Sequence, residues 1–199
     1  MTKRSLNLGF LASHNGTDMQ GIVAAIESGE VQAEVKLVIS NNRDSKALSF
    51  AKDKNISNIH ISELICGTSE DVDRVIRDSL ISAGVDLVIL SGYMKKVGPL
   101  TRGAYPERIL NVHPSLLPRY AGLWGDAVHK AVLASGDKIT GVTIHTIDEE
   151  YDKGKIILQT EVNVEPDDTL EDLRVKVQAE EIQCFIAVLR DIQSGHLSL

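Results

Sequence analysis

Short apolar runs alternate with amphipathic stretches along most of this chain, and that alternation restricts it to very few architectures. Ser5–Ala12, Glu34–Ser40, Ile56–Ile61, Asp86–Leu90 and Arg108–Val112 each read as a strand. Several are continuously apolar, as expected of strands covered on both faces of a parallel sheet. Between them lie segments of helical spacing. The spacing predicts helices over Met19–Ser28, stopped at Gly29, over Ser45–Lys54, and over Ser69–Ala83 with Ser69 as cap. In the last of these Val72, Val75, Ile76, Leu80 and Ile81 recur at spacings of three and four. Strand and helix in turn make βαβ units, so the fold class is α/β with a doubly wound, mostly parallel sheet.

After residue 137 the pattern changes. Ile139–Ile147 and Lys155–Val164 are β-rich runs on either side of the acidic loop Asp148-Glu149-Glu150-Tyr151-Asp152-Lys153-Gly154. They are expected to form a hairpin excursion, and Leu170–Ile192 a long closing helix. No repeat, low-complexity tract or linker interrupts the 199 residues, so one domain over 1–199 is expected.

Acidic residues outnumber basic ones by 28 to 21, a formal charge of −7, with no basic stripe to neutralise phosphates. A nucleic-acid partner is not expected. No window approaches the roughly 18 apolar residues of a spanning helix, which argues against a membrane partner. The first residues read as a short tail entering a buried strand, because the apolar run breaks at Ser13-His14-Asn15-Gly16 with no cleavage site after it. Cys66 and Cys184 stand alone, as thiols of a reducing compartment do.

In open α/β sheets, ligands bind beyond the carboxyl ends of the strands. Three segments should end there: the 13–18 loop, Ser91–Gly98 and Asn111–Pro118. On an extended segment Asn111 and His113 project to one side and Val112 to the other. An amide donor can hold a developing oxyanion, worth roughly 3–4 kcal/mol when well aimed. An imidazole can carry a proton near neutrality. The same spacing also suits a turn-capping Asn and a His bonded to backbone. Pro114 and Pro118 stiffen the loop that follows. Asp152, in the acidic turn, could orient a histidine, but spacing does not bring it to His113.

Several of these runs carry a resemblance. Ala12-Ser13-His14-Asn15-Gly16-Thr17-Asp18-Met19-Gln20 and Ser40-Asn41-Asn42 are followed by Leu90-Ser91-Gly92-Tyr93-Met94. Ile109-Leu110-Asn111-Val112-His113-Pro114-Ser115-Leu116-Leu117-Pro118, Gly141-Val142-Thr143-Ile144-His145 and the 148–154 loop complete the set. Over essentially its whole length the chain resembles the glycinamide ribonucleotide formyltransferases, folate-dependent enzymes of purine synthesis with a Rossmann-like fold. The resemblance implies Asn111, His113 and Asp152 as the catalytic trio, with His145 supporting. It implies Gly16, Thr17, Asp18, Gln178 and Glu181 at the ribonucleotide substrate. Met94, Lys95, Lys96 and Val97, with Asn111, Asp148, Glu149, Glu150, Tyr151 and Asp152, would contact the folate. 10-Formyltetrahydrofolate would be the co-substrate, with no metal, acting on small molecules in a cytoplasmic monomer or homodimer.

Some positions depart from the family pattern. His14-Asn15-Gly16-Thr17-Asp18 replaces Gly-Asn-Gly-Ser-Asn, so Asp18 either puts a negative charge toward a phosphate or caps the helix and points inward. Lys95 stands where arginine is common, and an arginine is missing from Gly67-Thr68-Ser69-Glu70. The 119–126 segment differs too. It is either a lid or a place where Trp124 packs under the sheet, the usual fate of a lone tryptophan. Two other readings stay open: a formyltransferase for another amine or a formyl-folate hydrolase, and a non-catalytic folate- or nucleotide-binding protein.

Overall fold

The computed structural model describes residues 5–198; the tail expected before Ser5 lies outside the described residues. Its strands are β1 (Leu6–Ala12), β2 (Ala33–Ser40), β3 (Asn58–His60), β4 (Leu87–Leu90), β5 (Ile109–His113), β6 (Ile139–Thr146) and β7 (Ile156–Asn163). They form one seven-stranded sheet of order β3-β2-β1-β4-β5-β6-β7. β1 to β5 run parallel, and β6 and β7 add on antiparallel.

Helices cover both faces. α1 (Thr17–Glu27), α2 (Lys46–Asp53), α6 (Asp126–Ser135) and α7 (Leu170–Ser194) lie on one side. α4 (Ser69–Ser82) and α5 (Pro99–Ala104) lie on the other, and the single-turn α3 (Glu63–Cys66) contacts α4. The period-2 alternation of strands produces this division. Leu8, Phe10 and Ala12 of β1 enter the first core, where Val177, Phe185 and Leu189 of α7 meet them. Leu11 enters the second core with Ile76 and Leu80 of α4.

Most expected elements form within a residue or two of their expected bounds. α1 starts earlier than read, at Thr17, because Gly16 turns left-handed at φ 64 and provides the N-cap position without a side-chain bond. Asp18 is therefore a first-turn residue and not the cap. Thr68, not Ser69, caps α4 by accepting the Asp71 amide. β3 is three residues, shorter than the run over Ile56–Ile61, and pairs only with the last part of β2. Trp124 does not pack under the sheet: it is 67% exposed, in the segment between Pro118 and α6.

Candidate active site

β1 pairs with β2 on one side and β4 on the other, so the chain reverses its winding direction at the β1/β4 boundary. The loops leaving β1 and β4 diverge there and open a cleft. Two serines join them. Ser13 Oγ receives the Met94 amide at 2.7 Å and donates to Asn41 Oδ1 at 2.6 Å. Ser91 Oγ receives the Met19 amide at 3.1 Å and donates to Asp18 Oδ2 at 3.1 Å.

β5 delivers the amide and the imidazole beside that cleft. In the antiparallel ladder with β6, Asn111 faces His145 and His113 faces Thr143. Asn111 Nδ2 lies 3.1 Å from His145 Nε2, and His145 Nδ1 lies 2.8 Å from the Thr146 carbonyl oxygen. The carbonyl can only accept, so it assigns the His145 proton to Nδ1 and leaves Nε2 to accept from Asn111. Burial, partly opposed by the Thr146 carbonyl and the Asp152 carboxylate, lowers the His145 pKa and favours this neutral form.

The acidic loop closes onto this pair. Asp152 takes a left-handed conformation, φ 57, and its carboxylate turns inward. Oδ2 is 3.5 Å from His113 Nδ1 and accepts the Gly122 amide at 2.8 Å, while Oδ1 is 3.7 Å from His145 Nε2. Burial alone would raise the Asp152 pKa, but hydrogen bonds from His113 and Gly122, with the His113 imidazole close by, bring it below the ordinary carboxylate value. The tight return of the loop depends on Gly154, where a Cβ would stand 1.6 Å from the Thr146 carbonyl oxygen. His113 Nε2 is buried and has no hydrogen-bond partner in the protein. Among the described residues no three His, Cys, Asp or Glu side chains gather as a metal site.

Asn111, His145 and Asp152 line one end of a pocket whose walls are Leu90, Tyr93, Lys95, Lys96 and Val97 on one side and Ile147 with Asp148–Tyr151 on the other. Met94 does not line it; its side chain is half exposed, and only its amide is held. The residues expected at a second ligand lie apart, on α1 and α7. Gly16 and Thr17 open α1, and Gln178 is half-buried on α7. Asp18 is 5% exposed and faces Glu181, which is also buried. Asp18 Oδ1 is enclosed without a partner, so the charge in question points inward. Burial pushes the Asp18 pKa up to about 6, against the Ser91 hydrogen bond, and burial with the facing carboxyl raises Glu181 well above its ordinary value.

Sequence reasoning undervalued His145, whose i+2 spacing from Thr143 is the same signal as Asn111 with His113. It missed Thr143, which shapes the loop after His113. Thr143 Oγ1 donates to the Ser115 carbonyl at 2.6 Å and accepts the Leu117 amide at 3.1 Å.

A family model described as formyl transferase matches residues 6–189. The chain belongs to the formyl transferase family. Within that family it is 36% identical over 189 residues to the phosphoribosylglycinamide formyltransferase of Haemophilus influenzae, covering 95% of this chain and 88% of that protein. Identity to the phosphoribosylglycinamide formyltransferase of Escherichia coli is 31% over 194 residues, covering 98% of this chain and 90% of the relative. Among solved structures, glycinamide ribonucleotide transformylase 1 from Symbiobacterium toebii superposes with a TM-score of 0.91 at 35% identity, over 98% of this chain and 91% of that one. The formyl transferase fold therefore extends through β6, β7 and α7, the elements that bring the acidic loop to β5.

Proposed function

We propose that this formyl transferase moves the formyl group of 10-formyltetrahydrofolate to the amine of glycinamide ribonucleotide, with Asn111, His113 and Asp152 as its catalytic residues. The observation that carries this is the convergence of β5 and the 148–154 loop, which puts Asn111 and Asp152 at one end of the 95–97/147–152 pocket and His113 directly behind them, 3.5 Å from Asp152. Its relatives over nearly the whole chain bear the name of that reaction.

In the reaction the amine nitrogen bonds to the formyl carbon, the bond from that carbon to N10 breaks, and one proton passes from the amine to N10. Nothing is oxidised or reduced. Charge develops on the formyl oxygen, so the catalyst must supply donors there. Asn111 has one N–H engaged by His145, which fixes the amide plane, and a second left for the oxyanion. His113 Nε2 has no internal partner, so it is the nitrogen left to exchange the proton. Asp152, ionised, holds the imidazole from Nδ1 and stabilises its charged form. General acid–base catalysis of this kind is worth about 10²–10⁴ in rate.

The folate would occupy the pocket between 95–97 and 147–152, and the ribonucleotide the end marked by Gly16, Thr17, Gln178 and Glu181. The inward turn of Asp18 supports a phosphorylated acceptor, because it removes a charge from the mouth of α1, where backbone N–H groups favour anions. The single domain, a cytoplasmic location and a monomeric or homodimeric state go with this reading; the free thiols suit a reducing compartment. The test is to follow folate product with and without glycinamide ribonucleotide. Turnover that needs the ribonucleotide supports the reading, formate release without any amine would make the chain a hydrolase, and no turnover would leave a binding protein.

A further inference from the structure

The two walls of the pocket come from distant parts of the chain, and one half-buried cation reaches both. Arg102, on α5, has a side chain only 16% exposed. Its Nη1 donates to the Val97 carbonyl oxygen at 2.7 Å, holding the end of the 95–97 wall. Its Nη2 lies 3.7 Å from Glu149 Oε1 in the loop that ends in Asp152. Both Arg102 and Glu149 border a groove of about 1020 Å³ that continues from the pocket past Lys95, Lys96 and Val97.

Arg102 is itself set from below. Asp73 of α4, buried, accepts the Leu100 amide at 2.7 Å, the Thr101 amide at 3.0 Å and the Thr101 hydroxyl at 2.5 Å. It thereby takes up free donors at the start of α5, as an N-cap residue from another helix. The approach is so close that a Cβ on Gly98 would stand 2.2 Å from the Asp73 carboxyl. α5 is thus clamped to α4, and Arg102 projects from a fixed base, whereas Glu149 sits on an exposed loop.

We infer that Arg102 is a positioning residue for the co-substrate, tying the 95–97 wall to the acidic loop and so setting the width of the pocket between them. The planar fork of arginine serves a carbonyl and a carboxylate at once; a lysine supplies one donor point. Because the tie ends on Glu149, three residues before Asp152, it acts on co-substrate binding more than on the proton relay. This rests on the reading of the pocket as the folate site, and the tests are chosen so that the two can fail separately.

Arg102→Met and Arg102→Lys are compared with the unaltered protein in two measurements. The first is amide hydrogen exchange of residues 148–152 without ligand, which depends on no assumption about substrate. Arg102→Met should speed exchange there about tenfold, with the melting temperature within roughly 2 °C. The second is steady-state kinetics. The KM for 10-formyltetrahydrofolate should rise about tenfold in Arg102→Met and less in Arg102→Lys, while kcat and the acceptor KM stay within about twofold. Unchanged exchange in 148–152 would overturn the tie. Faster exchange with no change in folate KM would overturn its role in co-substrate binding. Parallel loss of both KM values, kcat and melting temperature would reduce Arg102 to a structural brace. An unaltered protein that does not turn over formyl-folate would sink the proposed function and leave the exchange result standing.

Discussion

At the scale of single residues, each polar group of the candidate site is held on one side and has one atom left over. Asn111 keeps a free N–H because His145 takes the other, and His113 keeps Nε2 because Asp152 occupies the Nδ1 side. His113→Ala should therefore lower kcat by about 10²–10⁴. Folate binding, measured by calorimetry, should hold within a few-fold; a variant with full turnover would remove His113 from the chemistry. The pairing of Asn111 with His113 was legible because strand geometry puts i and i+2 on one side. Asp152 was not legible from spacing, since its approach depends on a left-handed residue in the loop joining two strands. Only resemblance to a known family named it beforehand. Asp18 was readable in two ways, and burial against Glu181 decided for the inward one.

At the scale of elements, α1 and α7 meet through that carboxyl pair and through Gly21, where a Cβ would lie 2.6 Å from the Ile182 side chain. The folded Asp18 binds its proton more tightly than an unfolded aspartate, with a pKa of about 6 against 3.8. The stabilisation is thus fully present below the unfolded value and is lost as pH rises through about 6. Asp18→Asn should flatten this dependence, keeping its melting temperature roughly several degrees higher than the parent above pH 7 relative to pH 4. Identical pH profiles for the two proteins would contradict the raised Asp18 pKa. Gly154→Ala should displace the acidic loop, since its methyl would clash with the Thr146 carbonyl, and kcat should drop about tenfold or more; unchanged kinetics would show that Asp152 does not need that turn. The helical periodicity of α4 and the continuous apolar runs of β1 and β4 could be read from the sequence. α3, α5 and α6 could not. The first two are too short for a periodic signal, and α5 is started by contacts from Asp73 on another helix. Trp124 broke the expectation of burial because it lies in a segment outside both cores.

At the scale of the whole molecule, a sheet that reverses its winding at β1/β4 and ends in an antiparallel hairpin brings three distant segments around one cleft. The alternation of elements made the doubly wound sheet legible, while the side on which β6 and β7 add, and hence the closure of the site, is a long-range result that no local pattern encodes. Two ligands in separate ends of one cleft should each stabilise the protein. At a hundredfold excess over Kd, a folate analogue or glycinamide ribonucleotide should contribute about 2.7 kcal/mol. That corresponds to roughly 5–10 °C in melting temperature. A shift with folate and none with the ribonucleotide would move attention to Asp18 and the acceptor end. The most direct measurement is a single turnover with isotopically labelled formyl on 10-formyltetrahydrofolate, glycinamide ribonucleotide in excess, and product analysis by mass spectrometry. The label should appear on the glycinamide nitrogen with the unaltered protein and fall by at least about a hundredfold in rate with Asp152→Asn or His113→Ala. Label recovered as free formate, or transfer at the same rate in both variants, would contradict it.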